Sequence, residues 1–223
     1  MMDENKHSYA GDSMRRVEDE EMITGAGCYT DDLQFPEMTH LHFVRSPYPH
    51  SKIKKMDLSA AMESEGVLAV YTADDLIRDG VNPYPIPGPP GDFVTQEILD
   101  QGYRNGNGEP MDPPRWLALA KDEVRYVGQP VVAILAESAE NALTASELVE
   151  VDYEELASVG TIQDAEKESA PAIWKGAPGN LLIQMEHGDA AKTDRILAEA
   201  DHVTELELSN SRVVGNAMEP RAS

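Results

Sequence analysis

The sequence predicts an α+β fold, and three observations within one stretch carry that reading. Val131 to Ala136 are six consecutive apolar residues behind Gly128 and Pro130, the pattern of a short strand buried on both faces. Ser138 then offers a hydroxyl cap, and Ala139, Ala142, Leu143, Ser146 and Val149 recur at helical spacing while Glu140, Asn141, Thr144 and Glu147 turn to water. The period next changes to two. Val149, Val151 and Tyr153 alternate with Glu150, Asp152 and Glu154, so the chain returns as a strand with one wet face. A helical crossover of this length favours a parallel, right-handed connection between the two strands.

The remaining elements follow in chain order. Residues 1–15 are polar and aperiodic, which predicts a flexible arm. From Arg16 to Asp32 an acidic opening leads to Gly25 and Gly27, where the backbone can turn tightly before Tyr29. In MTHLHFVRS, Leu41 and Phe43 share one face of a strand and His40, His42 and Val44 the other, with Pro47 and Pro49 closing it. Ile53 to Leu58 reads as an edge strand, Ser59 to Glu63 as a short helix, and Gly66 to Tyr71 as a buried strand. Residues 82–115 are dense in proline and glycine, with one turn of helix expected at Thr95 to Asp100 and Trp116 anchoring the end. A loop of that length covers a site, meets a partner or is disordered. Pro171, Gly176, Pro178 and Gly179 mark residues 161–179 as a linker. Beyond it, Asp189 to Ala200 predicts a short amphipathic helix with Ala190, Ile196 and Leu197 facing inward, and Val203 to Leu208 an alternating strand.

Composition narrows the function classes. A chain of 223 residues with 41% hydrophobic side chains can bury a core. The formal charge of −23 repels phosphate backbones and anionic bilayers, so neither nucleic acid nor a membrane surface is an expected partner. That charge reads either as a solvated surface that aids solubility or as adaptation to high salt, where screening relieves self-repulsion. Cys28 is the one cysteine, so an internal disulfide is excluded, and the thiol by itself holds neither an iron-sulfur cluster nor a structural zinc. There is no apolar run of about 20 residues and no signal-like N-terminus, which makes the cytoplasm the expected location.

No catalytic set emerges from spacing. Asp31 with Asp32, and Glu154 with Glu155, are adjacent in sequence, and in a strand adjacent side chains take opposite faces; both pairs read as solvated acid. His40 and His42 could converge on a metal, but no third ligand lies at recognisable spacing and packing is the better reading. His50, His187 and His202 stand alone. Cys28 lacks a neighbouring histidine or basic cluster to activate it as a nucleophile. The Gly25-Ala26-Gly27 triplet has neither a preceding apolar strand nor a third glycine opening a helix, so it is no dinucleotide fingerprint.

The wording of the chain supplies what spacing does not. RRVEDEEMITGAGCYTDDL, HFVRSPYPHSKI, DLSAAMESEGVLAVYTADDL, LALAKDEVRYVGQPVVAILAES, ENALTASELVEVDYEELASV, Gly179-Asn180, His187-Gly188-Asp189 and the closing MEPRAS together resemble the large, molybdenum-binding subunit of the xanthine dehydrogenase, aldehyde oxidase and carbon monoxide dehydrogenase family. The resemblance covers about residues 15–223. It implies an α/β hammerhead domain over residues 16–160, carrying the loop at 82–115, then the linker and, over 180–223, the incomplete start of the first molybdopterin-binding domain. Family members hydroxylate aldehydes, purines or N-heterocycles with oxygen from water, or oxidise carbon monoxide, at a molybdenum-molybdopterin centre. Electrons leave through iron-sulfur clusters and FAD on partner subunits or domains.

Two positions depart from the family's wording: Cys28 stands where relatives commonly carry Arg in GxGRYxDD, and RSPYPH places Tyr48 at the first histidine of RSPHAH while keeping His50. The chain also stops before the stretches where the family's pterin contacts, substrate pocket and glutamate base occur, so no catalytic, cofactor-binding or metal-binding residue is assigned, and Glu219 is not taken as the base. The expected role is an N-terminal portion or split subunit of a molybdenum hydroxylase. Such a chain supplies scaffold and interface, is inactive in isolation, and joins a hetero-oligomer with the rest of the molybdopterin-binding subunit, an iron-sulfur subunit and a flavin subunit. The alternative is a non-catalytic hammerhead module for binding or assembly.

Overall fold

The computed structural model describes residues 13, 15–84, 114–182, 188–208, 210 and 215. The expected helical turn at Thr95 to Asp100, most of the loop at 82–115, His187 and Glu219 lie outside them, as does most of the N-terminal arm. The chain divides into two units, one formed by residues up to Met38 with those from Thr204 on, the other by Thr39–Val203. In the first, Asp19–Thr24 forms α1, stopped by Gly25 at φ +75°, and a 3-10 turn follows at Thr30–Asp32.

The larger unit is built on two three-stranded antiparallel sheets. In the first, β1 (His40–Arg45) and β3 (Val67–Tyr71) flank β5 (Pro130–Ala136), while in the second β4 (Glu123–Val124) and β6 (Glu150–Glu155) flank β2 (Ser51–Asp57). Short helices α2 (Ser59–Met62), α3 (Ala73–Arg78) and α4 (Ala139–Ser146) join the strands. Residues Val131, Val132 and Ile134 of β5 are completely buried, as the unbroken apolar run requires. One core gathers Val124, Val132, Ile134, Ala61 and Ala145 with Val44, Met56 and Tyr153. A smaller one on the other side of β5 joins Ala133, Leu119 and Ala73 to Phe43 and Tyr71.

Several expectations need correction. The segment from β5 through α4 to β6 makes no parallel crossover: β5 already has β1 and β3 on its two edges, so β6 crosses to the other sheet and pairs antiparallel with β2. Its alternation holds there, with Val151 and Tyr153 partly covered and Glu150, Asp152 and Glu154 exposed. Segment 53–58 is no edge strand, because β2 runs through the middle of its sheet. The strand expected as buried at Gly66 to Tyr71 is an edge strand, half-buried. On α4, Ser138 Oγ accepts from the Asn141 N–H at 3.1 Å as a cap should, but the buried stripe is Ala142 and Ala145, not Leu143, which is exposed. Small residues there let the helix lie close on the sheet.

Toward the C-terminus, α5 (Ile162–Ala165) and a 3-10 turn at Pro178–Asn180 interrupt the expected linker. Asn180, at φ +58°, ties this segment together: its Oδ1 accepts from the Ile173 N–H at 2.9 Å, and its Nδ2 donates to the carbonyls of Pro171 and Ala165 at 3.0 and 3.1 Å. Next, α6 (Ala190–Glu199) is capped by Asp189 Oδ1 and buries none of its residues; Ile196 and Leu197 remain 55% and 50% exposed. The strand expected over Val203 to Leu208 does not form, since no described strand offers it a ladder.

Candidate functional site

The candidate site grows from β4 and the turns around it. Its strand pairing with β2 places Glu123 opposite Lys52 and brings the carboxylate beside His50 just before β2. His50 is buried at 5% exposure, with Nδ1 donating to the Ala157 carbonyl and Nε2 facing Glu123 Oε1, each at 2.6 Å. A carbonyl only accepts, so Nδ1 is the donor of its contact. The other Glu123 oxygen takes Arg125 Nη2 at 3.1 Å. Arg125 Nε in turn donates to the Ile173 carbonyl at 3.1 Å, and the guanidinium lies 3.8 Å from the Trp174 ring centroid, a cation–π stack. Burial pulls the Arg125 guanidinium below its ordinary value, and the Glu123 charge opposes that.

Beside this chain of contacts lies a cavity of about 330 Å³. Tyr84, Trp116, Tyr126 and Trp174 supply aromatic wall, and Arg115, Lys121 and Arg125 supply cations. Two of the cations are engaged, Arg125 by Glu123 and Lys121 by Asp74 at 2.6 Å. Arg115 has no ion pair or hydrogen bond among the described residues. Trp116 anchors its segment through the backbone, where its carbonyl accepts from the Tyr84 N–H at 2.8 Å, and its ring stays exposed.

Residues singled out by spacing fall elsewhere. His40 and His42 sit half-buried on β1 opposite Ala136 and Ile134, and no group of three His, Cys, Asp or Glu side chains able to hold a metal occurs among the described residues. Cys28 is exposed, its Sγ 3.7 Å from the Tyr29 carbonyl. Asp32 caps the Tyr29 N–H at 2.9 Å, and Glu154 pairs with Lys54 and Lys52 at 3.0 and 3.7 Å, both structural uses of a carboxylate. His50, which spacing left solitary, has both ring nitrogens engaged. Its partner Glu123 is 73 positions away, and only the β2–β4 pairing brings them together.

Comparison with known proteins places this architecture. The model of the aldehyde oxidase and xanthine dehydrogenase a/b hammerhead domain matches residues 24–102 and 91–157. The 6-hydroxypseudooxynicotine dehydrogenase complex subunit gamma of Paenarthrobacter nicotinovorans is 32% identical over 98% of this chain and 25% of its own length. The nicotine 6-hydroxylase large subunit of the same organism is 31% identical, again over 98% of this chain and 25% of its own. Among solved structures, a Cu,Mo-CO dehydrogenase superposes with a TM-score of 0.57 at 28% identity, over 86% of this chain and 23% of that one. The chain thus spans about a quarter of the length of the curated relatives it matches.

Proposed function

Because this chain belongs to the aldehyde oxidase and xanthine dehydrogenase a/b hammerhead family, we propose that it supplies the hammerhead-bearing portion of the large subunit of a molybdenum-dependent oxidoreductase. The observation that carries this reading is the similarity along nearly the whole chain to large subunits of oxidoreductases, joined to the hammerhead architecture. Residues 16–160 are the hammerhead, 161–179 connect, and 180–223 open the first molybdopterin-binding domain. The complete enzyme carries molybdenum-molybdopterin, which supplies either hydroxylation of an aldehyde, purine or N-heterocycle with oxygen from water, or carbon monoxide oxidation. Iron-sulfur clusters and FAD reside on partner subunits, and the assembly works in the cytoplasm. No described helix is long and apolar enough to cross a membrane.

The described residues do not fit a resident molybdenum group. They bring no three metal-capable side chains together, and two of the strong donors of the aromatic-walled cavity already have internal partners: Arg125 holds Glu123 and the Ile173 carbonyl, and Lys121 holds Asp74. In this reading the part of the chain is scaffold and interface. Exposed Ile196, Leu197 and Leu206 give a companion polypeptide apolar surface to cover. Affinity purification of the tagged chain from its native cells, with mass spectrometry of partners and analysis for molybdenum and iron, tests the reading. Recovery with a pterin-binding polypeptide and both metals is the expected result; recovery of the chain by itself and metal-free overturns it in favour of a hammerhead module.

A further inference from the structure

We propose that the cavity lined by Trp116, Tyr84, Tyr126 and Arg115 is a binding site for a flat aromatic carboxylate, with the ring against the aromatic wall and the carboxylate on the Arg115 guanidinium. Three features lead there. First, the aromatic wall is uncommitted: among the described residues Tyr84, Trp116 and Tyr126 stack on no other ring or cation, and all three are exposed. Exposed rings gathered into one concavity are the usual lining of a small-ligand site, and about 330 Å³ suits one or two fused rings.

Second, the charge of the wall selects the ligand's sign. An aromatic cage with a carboxylate would suit a cation, but Glu123, the one acid among the described residues that line this cavity, has both oxygens occupied, by His50 and by Arg125. Arg115 is the lining cation without a partner among the described residues, and a guanidinium binds a carboxylate through two parallel hydrogen bonds. Third, the overall charge of −23 does not cancel this local preference. At physiological salt the Debye length is about 8 Å, so distant acids are screened and the groups at the cavity mouth decide. The site is distinct from the scaffold role proposed above and does not depend on it.

Both tryptophans of the chain line the cavity, so intrinsic fluorescence reports on it directly. The probe is 2-naphthoate, titrated into the full chain by calorimetry and by tryptophan quenching, with naphthalene-2-carboxamide as the uncharged match. The expected result is one saturable site with a Kd below about 1 mM, weakened about tenfold or more in the amide and likewise in Arg115→Gln. Far-UV circular dichroism and the thermal midpoint of Arg115→Gln should be unchanged, since that side chain holds nothing else in place among the described residues. No saturable binding up to about 5 mM, or equal binding of acid and amide, overturns the proposal. Binding undiminished in Arg115→Gln overturns it too, and Tyr126→Leu gives a second reading through the aromatic wall.

Discussion

His50 shows how much one side chain can hold when both its ring nitrogens are occupied. Nδ1 ties Ala157, two residues past the end of β6, to the start of β2, and Nε2 ties Glu123 of β4 to the same point, so all three strands of the second sheet meet at one imidazole. His50→Ala leaves the Ala157 carbonyl and a half-buried Glu123 carboxylate oxygen without that partner and a hole where the buried ring lay, and stability should fall by about 1–3 kcal/mol. A urea midpoint within error of wild type would show that water replaces the ring without penalty. Gly66 poses a different problem, because two constraints coincide. Its φ is +73°, and a Cβ added there would overlap Asn141 Nδ2 on α4. Gly66→Ala should therefore cost about 1–3 kcal/mol, part from the left-handed backbone and part from displacing Asn141. In an Asn141→Ala background the clash with the amide is gone, leaving the backbone part and a tight 3.3 Å approach to the Cβ at 141, so a double-mutant cycle isolates the contribution of the amide.

At the level of the element, the sequence was most readable where one strand or helix decided its own environment. β5 needed nothing but its six apolar residues, and α4 declared its start through Ser138. Connections were less readable, since a strand's neighbours depend on whose edges are already filled: β1 and β3 occupy β5, and nothing in the wording of β6 says so. The site was illegible for the same reason, because His50 and Glu123 meet through pairing and not through spacing. Short helices such as α3 escaped notice, though Thr72 and Asp75 mark its start. The Thr72 hydroxyl and N–H donate to Asp75 Oδ2 at 2.7 and 2.8 Å, and Arg78 Nη1 reaches Oδ1 at 2.9 Å. These bonds hold the Asp75 carboxyl below its ordinary value. A folded-state value below the unfolded one, about 3.9, stabilises the fold above that pH, and the contribution is lost as pH falls through the folded value. Asp75→Asn should then lower stability by about 1 kcal/mol at pH 7, and the gap to wild type should close in acid. A gap that stays constant down to about pH 2 would mean that the charge on Asp75 contributes nothing.

For the molecule as a whole, the dominant physical quantity is charge, and two effects of salt on it compete. The chain carries 41 acidic against 18 basic residues, so its surface repels itself and screening should stabilise the folded state. The structure also holds surface ion pairs, Lys54 with Glu154, Arg78 with Asp75, Lys121 with Asp74 and Lys167 with Asp164, and these weaken as salt rises. Exposed pairs each contribute little because their charges are already solvated, whereas the excess of 23 acids acts over the entire surface. The repulsion should win. As KCl rises from about 0.1 M to 1 M the Debye length shrinks from about 10 Å to 3 Å, which leaves neighbouring carboxylates effectively unaware of one another. Urea unfolding midpoints should rise across that range and then level off, since beyond it little repulsion is left to screen. If they fall instead, the ion pairs outweigh the excess charge, and the acidic surface serves solubility in dilute salt without any adaptation to concentrated salt.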